Sequence, residues 1–268
     1  MPDSLLKLSH KNLNLVVDAG YGGHVREFSL EGNNALAENT PAFGSTYWPS
    51  PQSAWGWPPL PALDNSSYSV LNYNSIIEIQ SRVCTQTMLQ LTKRFFFLGD
   101  VLRVEYDLKN CAERTVRYAP WEITRLRGGL TFYKSDDDIL EHSTASVERL
   151  EGCLWHTYQP ENQKENQKLF GNNSHGWLAN VSRELLLIKH FNRVPSELIA
   201  PGEAEVEIYA HGDFENAYIE MEQQGEYSEI NPGHTLAWSV DWELLRVPVG
   251  LSIDVGSKEL VQFVELKR

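Results

Sequence analysis

Apolar and polar residues alternate with period two along much of this chain, and that pattern restricts the fold more than any other feature. In residues 101–108, VLRVEYDL, the side chains of Leu102, Val104, Tyr106 and Leu108 fall on one side and those of Arg103, Glu105 and Asp107 on the other. Residues 235–244, TLAWSVDWEL, set Leu236, Trp238, Val240, Trp242 and Leu244 against Thr235, Ser239, Asp241 and Glu243, and 203–210, EAEVEIYA, repeats the arrangement. Such segments are half-buried antiparallel strands with one polar face. Further strands are expected near 13–17, 24–30, 68–82, 86–97, 115–126, 152–158, 177–190 and 217–224. Turn signals separate them, among them Gly22-Gly23, 31–34 (EGNN), 98–100 (LGD), Pro201-Gly202 and 231–233 (NPG). Only 160–169 and 258–267 read as short helices, and the first is polar enough to be a loop. A dozen or more strands with so little helix predict a large all-β antiparallel sandwich.

The chain has 268 residues and is 41% hydrophobic, enough for a sizeable core, and no linker or low-complexity stretch divides it. A single domain over 1–268 is expected. The formal charge of −13 argues against nucleic acid and against anionic membrane surfaces, and is compatible with a neutral ligand. The N-terminus carries no secretory pattern and no segment reaches the length of a membrane helix. Three scattered cysteines form no disulfide framework, so a cytoplasmic location is expected. No pattern specifies an oligomeric state.

One tract departs from the alternation. Residues 47–61, YWPSPQSAWGWPPLP, hold three tryptophans and five prolines. Proline fixes φ and removes a donor, so the tract is expected to be neither helix interior nor central strand. Trp48, Trp55 and Trp57 on so stiff a support read either as a preorganised aromatic surface for sugar rings, other flat ligands or a partner protein, or as buried closure of one end of the sandwich.

Motifs for metal, nucleotide or nucleophilic chemistry are absent: there is no HExxH, Cys-x-x-Cys, P-loop, GxGxxG or GxSxG, and neither a metal nor a cofactor is expected. Ser135-Asp136-Asp137-Asp138 lacks the glycine and terminal glutamate of a calcium loop and reads as a solvated turn. What remains is carboxylates near aromatics. In 217–224, AYIEMEQQ, Glu220, Glu222 and Gln224 share one face, either wet or lining a polar cleft. In 116–126, VRYAPWEITRL, Trp121, Ile123 and Arg125 oppose Glu122 and Thr124; Arg125 beside Trp121 is unusual for a core strand. His24, His175, Lys189 and His190 are further candidates for proton transfer, each equally readable as a turn, surface or strand residue.

The order of these motifs resembles the galactose mutarotase-like (aldose 1-epimerase) superfamily: 22–30 followed by Gly32-Asn33-Asn34, then 93–95 with 101–110, then Met221-Glu222-Gln223-Gln224, 230–233 and 238–242. WPSPQSAWGWPP, APWEITR, GWLA (176–179), APGEAEVEIYA (200–210) and EQQG (222–225) resemble more closely the DUF4380 family of bacterial proteins, over most of residues 15–245.

The resemblance implies a β-supersandwich with a sugar site on one sheet. In mutarotases a base removes the O1 proton and an acid protonates the ring oxygen; Glu222 falls on the base. The acid histidine is missing from the strand around Pro120–Leu126, and the sugar-gripping asparagine–arginine pair is not recognisable, although Asp64-Asn65 lies in a comparable region. Glu122 is then the candidate acid, provided burial beside Trp121 keeps it protonated. Trp48, Trp55, Trp57 and Trp121 would stack on the sugar, with Arg125, Gln224 and Asp64 as further binding residues. Three readings follow: a mutarotase-like enzyme, with lyase or glycosidase chemistry as variants; a carbohydrate-binding module without turnover; and a non-sugar protein using the Trp/Pro tract as an interaction surface.

Overall fold

A computed structural model describes residues 4–38, 42–136 and 143–267. Among them the alternating segments form two antiparallel sheets of ten strands each. The first sheet runs Leu5–His10, Leu13–Asp18, His24–Leu30, Ser45–Ser50, Val116–Leu126, Ile219–Gln224, Val206–Ala210 and Gln167–Gly171, with Asn33–Asn34 and Ser228–Ile230 paired off this path. The second runs Glu148–Leu150, Cys153–Tyr158, Gly129–Lys134, Trp177–Ser182, Leu185–His190, Thr235–Arg246, Val101–Asn110, Leu89–Leu98, Ile77–Gln80 and Ser69–Tyr73. The expected stretches 68–82 and 177–190 are each a hairpin rather than one strand.

The core lies between the sheets, where alternation places it. Leu102, Val104, Tyr106 and Leu108 are buried on one strand, and Val240, Trp242 and Leu244 on its neighbour. Aromatic contacts cross the gap: Phe28 meets Trp242 edge-on at 5.8 Å, and Tyr47 meets Tyr106 at 4.9 Å. The edge-on geometry of the first pair is favoured by the ring quadrupole and adds to area burial. No helix among the described residues is long and apolar enough to cross a membrane.

Two expectations fail here. Residues 160–169 are not a helix: a single turn at Pro160–Asn162 gives way to the edge strand Gln167–Gly171. Its pairing with Val206–Ala210 outweighs a weak local signal. The Trp/Pro tract also does enter a sheet, since Tyr47, Trp48 and Pro49 belong to the central strand Ser45–Ser50, and its last proline opens the short helix Pro61–Asp64. The sheet tolerates Pro49 because its partner across the ladder is Pro120. Two prolines cannot exchange N–H···O bonds, so the pair is non-hydrogen-bonded and both missing donors point outward. On the Pro49 side the pairing has ended at Val25 with Ser45, and on the other side Pro120 keeps a ladder bond without a donor, its carbonyl accepting from Gly225 N–H at 2.8 Å.

Candidate functional site

Directly paired residues of adjacent strands share a face, so the registers list what lies on the side of the first sheet turned away from the second. One row holds Trp48, Trp121 and Gln224; the next, Thr46, Ile123, Glu222, Glu207 and Phe170; a third, Arg125, Glu220, Tyr209 and Lys168. Ionisable side chains therefore crowd a face that a sandwich would ordinarily leave to water. It is not wet: Glu207, Glu222, Gln224 and Trp121 are all buried. The strands 203–210 and 217–224 thus have the polar face expected of them, but it is mostly buried and meets solvent where Lys168, Tyr209 and Tyr218 are partly exposed.

At its centre Glu222 and Glu207 flank one lysine. Lys168 Nζ lies 2.8 Å from Glu222 Oε1 and 2.8 Å from Glu207 Oε2. Trp121 Nε1–H donates to Glu222 Oε2 at 2.9 Å, and Gln224 Nε2 donates to Glu207 Oε1 at 2.8 Å. Both carboxylates are fully buried, whereas the Lys168 side chain is 25% exposed, so the cluster meets solvent through the lysine. Burial pushes the Glu222 and Glu207 carboxyls well above the ordinary range; Lys168 pulls them back only in part, while Glu207 raises Glu222 further and Glu203 raises Glu207. Burial works against the Lys168 charge, yet the two carboxylates more than offset it and hold the ammonium above its usual value. Two buried carboxylates around one cation are therefore displaced toward the protonated form relative to an exposed pair.

A second carboxylate is oriented beside it. Asp64 Oδ1 accepts from Trp48 Nε1 at 2.8 Å and from Thr46 Oγ1 at 3.0 Å, with His24 Nε2 at 3.5 Å. Burial raises the Asp64 carboxyl, but the bonds from His24 and Trp48 and the Arg125 charge outweigh it and hold it down to about 2. His24 is itself pushed down by burial. The double glycine seats this carboxylate: Gly22 has φ +62°, and a Cβ there would lie 1.5 Å from the Asp64 carbonyl oxygen. Arg125 Nε donates to Glu220 Oε1 at 2.8 Å while its guanidinium lies 5.6 Å from the Trp48 ring centroid.

The structure thus brings Glu222, Trp121, Trp48, Asp64, Arg125 and Gln224 onto one face, but it changes what the tryptophans do. Trp48, Trp55 and Trp121 are buried, and their indole N–H groups donate to Asp64, to the Pro49 carbonyl (2.6 Å) and to Glu222. They orient carboxylates and backbone and offer no open stacking face. Trp57 alone of the four stands out, 70% exposed and edge-on to Trp48 at 6.1 Å.

Glu122 is not in this cleft. It lies between the sheets, where its carboxylate accepts from Lys189 Nζ, Tyr106 Oη and Gln223 Nε2, each at 2.5 Å. Alternation forces this, because Glu122 and Trp121 are successive residues of one strand. Lys189 belongs to the same buried network and is pushed down by burial, to about 8. His190 pairs with Glu243 on the second sheet, and His175 bonds Ser174 in a loop. Sequence reasoning missed Lys168, which lies in a segment read as helix or loop, and Glu207, whose polar strand face is visible in the sequence while its burial is not.

Among the described residues no group of three or more metal-ligating side chains occurs, and Asp137 and Asp138 of the acidic turn lie outside them. A separate cavity of about 870 Å³, lined by Asn33, Arg127, Tyr158, Arg183 and Arg246 among others, contains none of these site residues.

A model for a domain of unknown function (DUF4380) matches residues 33–245. No curated protein sequence matches. Three solved structures show the same architecture: the Slr1438 protein from Synechocystis sp. PCC 6803 (14% identity, 90% of this chain and 95% of that one, TM-score 0.63); a galactose mutarotase related enzyme from Lactobacillus acidophilus (7%, 94% and 100%, 0.62); and a galactose mutarotase-like protein from Lactobacillus casei (11%, 90% and 100%, 0.62). At these identities the likeness carries the fold, which is galactose mutarotase-like.

Proposed function

The chain belongs to the DUF4380 family, and we propose that it is a carbohydrate-binding protein that takes a saccharide on the outer face of its first sheet, under Trp57. The observation that carries this is the pairing of one exposed indole with side chains already aimed by buried partners. Trp57 presents a flat apolar face, Lys168 is held by two carboxylates, Arg125 by Glu220, and Asp64 by Trp48 and Thr46. Donors and acceptors fixed before the ligand arrives lower the ordering cost of binding hydroxyl groups.

A mutarotase-like proton transfer is the second reading, and the raised proton affinity of Glu222 and Glu207 favours it. A carboxyl poised near neutrality suits general acid–base work, which typically contributes about 10²–10⁴-fold. Against it, both Glu222 oxygens are already bonded, and an ammonium held above its usual pKa is a weak acid. Binding is therefore the reading the geometry supports best.

Saturation-transfer NMR with glucose, galactose and their short oligomers tests the first reading. Saturation transfer from protein to sugar is expected, and its absence across the panel at millimolar concentration would sink it. Polarimetric mutarotation of glucose and galactose tests the second: a rate equal to that of buffer alone removes it and leaves binding in place.

A further inference from the structure

We infer that this face takes an extended, uncharged saccharide of two or more rings rather than a single sugar, an inference that rests on the saccharide reading above. Tyr218, Glu220, Glu222 and Gln224 alternate along one strand and its lead-in, so they share a face, and at about 3.3 Å per residue the line spans roughly 20 Å. Both of its ends are aromatic. At one end Trp121 pairs with Gln224 and Trp48 with Trp121, and Trp57 stands exposed beyond them. At the other, Tyr218 stacks on His211 with centroids 4.7 Å apart and planes at 17°, and Phe214 of the intervening turn is 66% exposed.

The middle of the line is polar, formed by Lys168 with its two carboxylates and by the Arg125–Glu220 pair. One exposed aromatic ring near each end, Trp57 and Phe214, with hydrogen-bonding groups between them fits a chain of rings better than one ring, which could touch only one end. The charges fix the second part of the inference. Lys168, Arg125 and Arg26 are already engaged by carboxylates, and Asp64 adds a further negative charge. Among the described residues of this face a phosphate or carboxylate on the ligand would meet no uncommitted cation, and it would face excess negative charge, within a chain whose formal charge is −13.

Calorimetric titration of the full chain with glucose, cellobiose and cellotriose, with galactose and galactobiose, and with glucose 6-phosphate tests this. Affinity is expected to rise at least about tenfold from one ring to three, with glucose 6-phosphate weaker than glucose. Phe214→Ala and Tyr218→Phe, the first an exposed truncation that leaves the core alone, are read against the same ladder, and Phe214→Ala should abolish most of the gain with length. Monosaccharide binding with no increase on lengthening, or a length dependence untouched by Phe214→Ala, overturns the inference while leaving the saccharide site standing. Tighter binding of glucose 6-phosphate overturns the charge argument. Absence of binding by every sugar would overturn the saccharide reading itself.

Discussion

Glu222 and Glu207 share a single ammonium, and that arrangement has a measurable consequence for stability. Exposed glutamates titrate near about 4.3. Held above that in the folded chain, this pair binds protons that the unfolded chain has already released. Its contribution to stability is therefore fully present below the unfolded pKa and is lost as pH rises through the folded values. His24, Lys93 and Lys189 are displaced downward, so their contributions run the opposite way, and the difference between two proteins is the useful readout. Glu222→Gln removes one member of the pair. Urea midpoints taken from about pH 5 to about pH 8 should show the variant gaining on the wild type by about 1 kcal/mol or more. Parallel pH profiles would show that the pair does not share a proton. At the same scale, Gly22→Ala forces a Cβ against the Asp64 carbonyl at a positive φ. It should cost about 1–3 kcal/mol and weaken saccharide binding as Asp64 shifts. An unchanged melting temperature would contradict the close approach.

Among the elements, the strand Val116–Leu126 carries the site on one face and its anchor on the other. Trp121 bonds Glu222 on the cleft side, and the next residue, Glu122, bonds Lys189 of the second sheet and Gln223 of the neighbouring strand. The buried ion pair thus lies directly behind the carboxylate cluster and fixes the strands that hold it. Removing one partner leaves an uncompensated buried charge, so Lys189→Met should destabilise by about 3–5 kcal/mol. Glu122→Leu combined with Lys189→Met should recover a large part of that loss in chemical denaturation, and a double variant no more stable than the worse single one would argue against the pairing. Periodicity made the two faces of this strand readable: Arg125 was expected beside Trp121, and it is there. Periodicity does not say which face meets the other sheet, and so Glu122 was misassigned to the sugar. Lys168 was illegible for a different reason. Residues 160–169 lack alternation, and the strand exists only because Val206–Ala210, distant in sequence, pairs with it. The Trp/Pro tract shows a third limit, since composition announced an aromatic cluster but not that Trp48 and Trp121 would be buried and turned into hydrogen-bond donors.

Across the whole molecule, the two sheets share one core through contacts such as Phe28 with Trp242 and Tyr47 with Tyr106. We propose that the chain is one cooperative unit: a single calorimetric transition is expected, and two resolved transitions would contradict it. On that common frame the first sheet differs from a plain sandwich sheet, because its outer face holds buried ionisable groups with their partners in place and one indole left open. Titration calorimetry of the wild type and Trp57→Ala with glucose, galactose and cellotriose tests that account most directly. Binding to the wild type is expected, with an affinity at least about tenfold lower, roughly 1.4 kcal/mol, for the variant. Equal affinities for the two proteins, or no binding by the wild type at millimolar sugar, would contradict it.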